Sequence, residues 1–354
     1  MTIKKFIVAN TLLASTMILS ACSNQTNHNS TADSKSDIEI LNVSYDVARD
    51  FYKDYNPLFI NYYKTINPNA HITIKQSHGS SSKQALSVKN GLQADVVTMN
   101  QGSDVQILAD SGLVNKNWQQ MLPNHAIPFT STIVFIVRKN NPKAIKDWDD
   151  LAKSGTKIIL ANPKTSGNGR YAFLGAYGYG LLTFHQNKEK TDAFVRSLLN
   201  NVTVFENGGR AATTTFAQRE LGDVLLTFEN EANIIQKKFG NVDIIYPSYT
   251  INAENPVAVV ESVSHKKATN SIAQAYLEHL YSDEAQELAV KYFLRPSNEQ
   301  ILQKHADKFP KMQTFFPNEV FGDWSDIMQT YFSEGGVYDK LVMDNQHILK
   351  SDDS

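Results

Sequence analysis

The sequence predicts an α/β fold divided into two lobes, and three observations support this. From residue 38 onward, short apolar strand-like segments alternate with helical segments, which is typical of α/β chains with mostly parallel sheets. A length of 354 residues corresponds to about two domains. The composition, 42% hydrophobic and 20% charged, excludes collagen-like, coiled-coil and largely disordered chains.

Eight short segments rich in valine and isoleucine are the predicted strands. They are residues 39–43, 70–74, 95–99, 132–137, 157–161, 201–205, 223–228 and 241–246. Residues 46–63 and 271–281 carry apolar side chains at helical spacing, and 318–349 is predicted as two helices separated by Gly335 and Gly336. The absence of a long linker makes 130–137 and 257–263 hinge candidates; both are equally well explained as core strands of one domain.

The N-terminus is predicted to be a lipoprotein signal. Lys4 and Lys5 precede an apolar stretch over 6–19, and Leu19-Ser20-Ala21-Cys22 resembles the bacterial lipobox. We therefore expect residues 1–21 to be a signal peptide cleaved before a lipidated Cys22, and 22–37 to be a flexible tether. An ordinary signal peptide with a chance cysteine is the alternative. Since Cys22 is the only cysteine, neither a disulfide within the chain nor a cysteine-rich metal site can form.

The charge balance argues against nucleic-acid binding. The chain has 34 basic and 36 acidic residues and a net charge of −2, so it lacks the basic field that such binding needs. Loss of Lys4 and Lys5 with the signal peptide changes the net charge to −4. No P-loop and no H-E-x-x-H helix occurs, and the G-x-G-x-x-A match at 167–172 begins too far beyond its strand to bind a dinucleotide. We expect no cofactor and no metal.

Three segments rich in small and polar residues each lead into a predicted helix: 76–84, 162–170 and 206–211. Helix N-termini present unpaired N–H groups, and small residues let an anion approach them closely. Together the three segments predict an oxyanion site; singly, each is better explained as ordinary N-capping. Ser81 and His78 could form a nucleophile and base, but the G-x-S-x-G pattern of serine hydrolases is absent.

Around these turns the chain resembles the sulfate- and thiosulfate-binding protein family. The resembling segments keep their order from about residue 38 to 341, and they include 41–46 (LNVSYD), 76–79 (QSHG), 94–98 (ADVVT), 130–135 (TSTIVF), 162–164 (NPK), 222–225 (GDVL), 229–232 (ENEA), 295–296 (RP) and 320–322 (VFG). The resemblance implies a type II periplasmic-binding fold with the ligand in the cleft between the lobes. We expect lobe 1 to comprise 38–128 and 255–354, and lobe 2 to comprise 129–254.

The resemblance also implies a function. Members of the family are extracytoplasmic binding proteins, not enzymes, and they deliver the anion to an ABC permease. For this chain it implies a monomer anchored to the cell membrane by lipid, with no nucleic-acid partner. Another tetrahedral oxyanion, molybdate or phosphate, is the alternative ligand, and Asp46 pointing into the site would favour phosphate. An extracellular serine hydrolase using Ser81 and His78 is the less favoured alternative.

In that family the anion is held by neutral donors, namely backbone N–H groups at helix starts, a serine hydroxyl and an indole N–H. The matching positions here are Ser81, Ser166, Gly167, Asn168 and Gly209 as anion-binding residues, and Tyr45, Asp46, Ser80 and Phe228 as lining residues. The sequence departs from the family pattern at Ser80 and Ser82, at Asn168 and at Gly209. Phe228 stands where the family usually has the indole donor, so we expect Thr227, Asn168 or a water molecule to replace it.

Overall fold

The computed structural model describes residues 36–342, which form two β-sheets flanked by helices. The predicted signal peptide, Cys22, nearly all of the tether and the end of the last predicted helix lie outside the described residues. Within 36–342, no helix is long and apolar enough to cross a membrane.

Twelve strands are present in the described part of the chain. They are β1 (Ser36–Tyr45), β2 (Ala70–Gly79), β3 (Val96–Thr98), β4 (Phe129–Arg138), β5 (Ile158–Ala161), β6 (Val202–Glu206), β7 (Val224–Phe228), β8 (Val242–Ile245), β9 (Tyr249–Glu254), β10 (Val257–Val259), β11 (Arg295–Pro296) and β12 (Gln313–Phe315). Each of the eight predicted strands overlaps one of them.

The helices between and after the strands range from single turns to five turns. They are α1 (Arg49–Ile66), α2 (Ser81–Lys89), α3 (Gly102–Asp110), α4 (Pro123–Ala126), α5 (Trp148–Leu151), α6 (Gly167–Thr183), α7 (Lys188–Asn200), α8 (Gly209–Thr213), α9 (Glu229–Phe239), α10 (Glu261–Ser264), α11 (Asn270–Glu278), α12 (Asp283–Lys291), α13 (Glu299–Lys304), α14 (Pro317–Phe321) and α15 (Trp324–Ile327). Short 3₁₀ turns cover Asp46–Ala48, Trp118–Gln120 and His279–Tyr281, and π-helical turns follow α8 at Thr214–Gln218 and α15 at Met328–Phe332. Residues 337–342 are also helical, after Gly335 and Gly336.

The strands form two sheets. The first has the order β10-β3-β1-β2, with β1 parallel to both β2 and β3. The second has the order β12-β9-β4-β7-β5-β6, with β8 and β11 also paired to β4. In it β5 is parallel to β6 and β7, whereas β4 is antiparallel to β7, β8, β9 and β11. The expectation of mostly parallel sheets is therefore wrong around β4, because an apolar run records burial and not strand direction.

Burial of both faces explains why β4 is a continuous apolar run. Ile133 to Val137 are all buried, as expected for a central strand covered on both sides. Helix α1 instead buries one stripe, formed by Phe51, Tyr55 and Phe59 at four-residue spacing. This stripe packs on α11, where the hydroxyl of Tyr55 donates to the backbone oxygen of Tyr276 at 2.5 Å. The packing fixes the start of α1, which follows the 3₁₀ turn Asp46–Ala48.

The chain passes from the first sheet to the second before β4 and returns between β9 and β10. At the return, the buried Asn255 donates from Nδ2 to the backbone oxygens of Phe129 and Ala253, each at 3.3 Å. Strands β11 and β12 come from the segment predicted for lobe 1, yet they pair with β4 and β9 of the second sheet. The lobe boundaries stay a prediction.

Candidate functional site

The three predicted turns end at three helix starts. Helix α2 begins at Ser81, α6 at Gly167 and α8 at Gly209. In the first segment, residues 76–79 belong to strand β2, so only Ser80 separates strand from helix. Sequence composition did not reveal this, because serine and glycine are as compatible with a strand end as with a loop. The first N–H groups of each helix have no partner within the helix and can bind an anion.

Contacts between elements of the two sheets bring these helix starts together. Ser80 Oγ, after β2, donates to the backbone oxygen of Thr165, after β5. A side chain at Gly167 would overlap the amide of Asn100, which follows β3, so only glycine fits there. A Cβ at Gly209 would lie 3.2 Å from Nδ2 of Asn168. The predicted residues of the second and third turns are therefore neighbours, and Asn100 and Ser80 face them from the first sheet.

The serine hydroxyls of the first turn are engaged by the protein. Ser81 Oγ donates to Asp104 Oδ2 at 2.6 Å and accepts from the backbone N–H of Asn100 at 3.1 Å. Ser82 Oγ donates to Asp104 Oδ1 at 2.8 Å and accepts from Arg170 Nη1 at 2.6 Å. Burial raises the pKa of Asp104, while the charge of Arg170 and the serine hydroxyls act in the opposite direction. Because a hydroxyl has one proton, Ser81 in this arrangement offers an anion its backbone N–H rather than its Oγ.

Asp46 caps the third helix start. Its Oδ2 accepts from the backbone N–H of Arg210 at 3.1 Å, and a Cβ at Gly208 would lie 3.0 Å from the same oxygen. Arg210 Nη2 forms an ion pair with Asp50 at 3.1 Å, and Nη1 lies 3.7 Å from the buried carboxylate of Glu231. Burial raises the pKa of Asp46, although Arg210 opposes this. Oδ2 of Asp46 is therefore used to cap α8, at one of the three helix starts.

His78 is not paired with Ser81. Its Nδ1 lies 2.6 Å from Ser44 Oγ, and its Nε2 contacts Gln76 Oε1. Burial lowers the pKa of His78 to about 4. Since Ser81 bonds to Asp104 and His78 bonds to other residues, the nucleophile and base of a serine hydrolase are not assembled.

Phe228 ends β7 and is buried beside the second turn. Its ring centroid lies 5.8 Å from that of Tyr171, with the planes at 67°. The two residues expected to replace the indole donor bond to each other, because Asn168 Nδ2 donates to Thr227 Oγ1 at 3.1 Å. Tyr45 is fully buried one residue before Asp46.

Four further residues of this region were missed by the sequence analysis: Asn100, Asp104, Arg170 and Tyr171. Each carries polar atoms that are buried in the same region, and Asn100 Oδ1, Arg170 Nε and Tyr171 Oη have no hydrogen-bond partner there, as is also true of Asn168 Oδ1. Asn100 directly follows the strand end and Arg170 lies inside the second turn, so position alone could have indicated these two. Asp104 and Tyr171 lie within helices and carry no such signal.

Metal binding has no support in the described residues. Between 36 and 342 no three His, Cys, Asp or Glu side chains are placed to hold a metal ion.

Comparison with known proteins gives the family. The model of the bacterial extracellular solute-binding protein family matches residues 43–295. This chain belongs to that family. The thiosulfate-binding protein of Pseudomonas aeruginosa is 53% identical over 86% of this chain and 92% of its own length. The sulfate-binding protein of Salmonella typhimurium is 45% identical over 86% of this chain and 93% of its own length.

A solved structure supports the same conclusion. The sulfate-binding protein SubI from Mycobacterium tuberculosis H37Rv superposes with a TM-score of 0.75 at 30% identity, covering 82% of this chain and 98% of that one. The predicted resemblance to sulfate- and thiosulfate-binding proteins and the predicted two-lobed periplasmic-binding fold are both confirmed. These relatives are binding proteins of the extracytoplasmic space and not enzymes.

Proposed function

We propose that this chain binds sulfate or thiosulfate outside the cytoplasm and delivers the anion to an ABC permease for import. The observation that carries the proposal is the meeting of three helix starts, those of α2, α6 and α8, at residues that follow strands of both sheets. Its relatives of known specificity bind these same anions.

The anion would be held by neutral donors. We assign this role to the backbone N–H groups of Ser81, Gly167, Asn168 and Gly209 and to the hydroxyl of Ser166, with Tyr45, Asp46, Ser80 and Phe228 around them. The backbone N–H of Ser166 is not available, because it donates to the backbone oxygen of Asn162 at 2.9 Å. Each charge-assisted hydrogen bond contributes about 1.5–3 kcal/mol, so several of them stabilise a buried dianion without a counter-charge. A chain with a small negative net charge has no overall field to attract an anion, so the dipoles at the helix starts would supply the attraction locally.

The two lobes would close on the anion. Lobe 1, assigned to 38–128 and 255–354, supplies Ser80 and Ser81, and lobe 2, assigned to 129–254, supplies the second and third helix starts. A ligand that contacts both lobes binds the closed protein more tightly than the open one. It stabilises the closed state by this difference in affinity.

Lipid at Cys22 would keep the chain at the membrane, next to its permease, as a monomer. Replacing Cys22 by alanine should release the protein from washed membranes and leave anion affinity unchanged, because the tether separates the cysteine from the folded part. Membrane fractionation followed by titration of the released protein checks this. Equal membrane retention of the Cys22→Ala variant and the wild type contradicts the lipid anchor.

Titration calorimetry of the purified protein with sulfate, thiosulfate, phosphate and molybdate tests the ligand assignment. We expect one anion per chain, with sulfate or thiosulfate bound more tightly than the other two. Tighter binding of phosphate or molybdate would overturn the ligand assignment. Turnover of ester substrates would overturn the proposal as a whole, because a binding protein releases its ligand unchanged.

A further inference from the structure

Tyr171 carries a buried hydroxyl that nothing in the protein explains. The side chain has no exposed surface, and its Oη has no hydrogen-bond partner. A buried polar group without a partner destabilises a folded protein. The backbone N–H of Glu254 acts on the oxygen as a donor and lowers the pKa of the hydroxyl, against the effect of burial; a bond from this N–H uses the oxygen as an acceptor and leaves the proton free. The hydroxyl is therefore an unused donor.

The ring of Tyr171 is held in a fixed orientation. Its centroid lies 5.8 Å from that of Phe228 and 5.4 Å from that of Trp324, and both contacts are edge-to-face, with the planes at 67° and 76°. The residue lies in the first turns of α6, four positions after Gly167. An aromatic ring fixed on two sides offers its hydroxyl at little cost in side-chain entropy.

Tyr171 lies beside the candidate site, because its ring packs against Phe228 and it follows Gly167 by four positions in α6. Glu254, Asp104 and Tyr45 are close enough to affect its ionisation, and Asp104 is the partner of Ser81. Burial is the main cause that raises the pKa of Tyr171 well above its ordinary value, so the hydroxyl keeps its proton at neutral pH. The ring it packs against belongs to Phe228, the residue at the position where the resemblance implies an indole donor.

We infer that the hydroxyl of Tyr171 donates a hydrogen bond to an oxygen of the bound anion and supplies the donor that Phe228 lacks. The inference rests on the proposed function, since it needs an anion at the three helix starts. Asn168 and Thr227 are worse candidates for this donor. Asn168 Nδ2 already donates to Thr227 Oγ1 at 3.1 Å, so both of these side chains have a partner in the protein, whereas the hydroxyl of Tyr171 donates to none.

Tyr171→Phe removes this hydroxyl alone, and Tyr281→Phe is the matched control. Tyr281 also has a buried hydroxyl without a partner, and it lies in the 3₁₀ turn His279–Tyr281 rather than in α2, α6 or α8. Both variants of the full chain, purified in detergent, would be titrated with sodium sulfate and sodium thiosulfate, and the melting temperature of the ligand-free protein would be measured. Tyr171→Phe should weaken both anions by about tenfold to a hundredfold, and Tyr281→Phe should weaken neither.

The melting temperature separates binding from structure. Removing an unpaired buried hydroxyl should leave the ligand-free protein as stable as before or more stable. Wild-type affinity in Tyr171→Phe would overturn the inference, and so would a lower ligand-free melting temperature, which would show that the hydroxyl makes a structural bond. If the wild type binds neither anion, the proposed function itself fails. If the wild type binds an anion and Tyr171→Phe binds it equally well, only the inference about Tyr171 fails.

Discussion

Ser82 links the two predicted lobes through one hydroxyl, so replacing it by alanine should weaken anion binding. Its Oγ accepts a hydrogen bond from Nη1 of Arg170, which belongs to the second turn in predicted lobe 2, at 2.6 Å. The same Oγ donates to Asp104 Oδ1, in predicted lobe 1, at 2.8 Å. Ser82→Ala leaves Arg170, which is 3% exposed, with its 3.2 Å bond to the backbone oxygen of Lys164. Asp104 keeps its bond from Ser81.

The expected loss of anion affinity depends on which of the two bonds of Ser82 joins the predicted lobes. Only the bond from Arg170 does so, and a hydrogen bond to a charged group contributes about 1.5–3 kcal/mol. If this bond exists only when the lobes meet around a ligand, its loss weakens anion binding by about tenfold to a hundredfold. The bond to Asp104 is made within one lobe. Its loss should therefore lower the stability of the ligand-free protein without changing its affinity for the anion.

Calorimetric titration with sulfate and thermal melting of the ligand-free protein measure the two effects separately. Ser87→Ala is the matched control, because Ser87 lies on the same helix α2 and its Oγ donates to the backbone oxygen of Lys83 at 2.9 Å on an exposed face. We expect this control to keep wild-type affinity. A Ser82→Ala variant that melts at a lower temperature but binds sulfate as tightly as the wild type would refute the reasoning, since the bond from Arg170 would then exist with and without ligand.

Two other substitutions have directions that the structure sets. Phe228→Trp should tighten sulfate binding, or shift preference from thiosulfate toward sulfate, because it adds an indole N–H beside the second turn; unchanged titration curves for both anions would mean that residue 228 does not face the ligand. His78→Gln should make the protein less sensitive to acid. The pKa of His78 is about 4 in the folded chain against 6.5 for an ordinary histidine, so the unfolded chain binds the extra proton and wild-type stability falls as pH drops through this range. Melting temperatures at pH 7, 5.5 and 4.5 test this, and a fall equally steep in His78→Gln would contradict it.

The sequence predicted the elements better than the way they pair. Apolar runs located eight strands, because burial selects valine and isoleucine wherever a strand lies in a core. Strands β9, β11 and β12 were missed, whereas β10 falls in 257–263, which was predicted as a hinge or a core strand. The short strands β11 and β12 join the second sheet through contacts that are distant in sequence. Such pairings depend on tertiary packing, which local periodicity does not record.

At the candidate site, glycine and serine patterns located the helix starts, but not the state of the side chains. Ser81 illustrates the difference. Its position before a helix is visible in the sequence, whereas its bond to Asp104, 23 residues away, is not. The same holds for Tyr171, whose unpaired hydroxyl becomes apparent only once its burial and its contact with Phe228 are known.

A crystal structure of the protein with sulfate bound tests the central claim most directly. The account predicts one sulfate between the two lobes, with oxygens about 2.7–3.2 Å from the backbone nitrogens of Gly167, Asn168 and Gly209. A sulfate bound instead in the open groove beside Arg49 and Lys53, between α1 and β2, with the three helix starts unused, would contradict it.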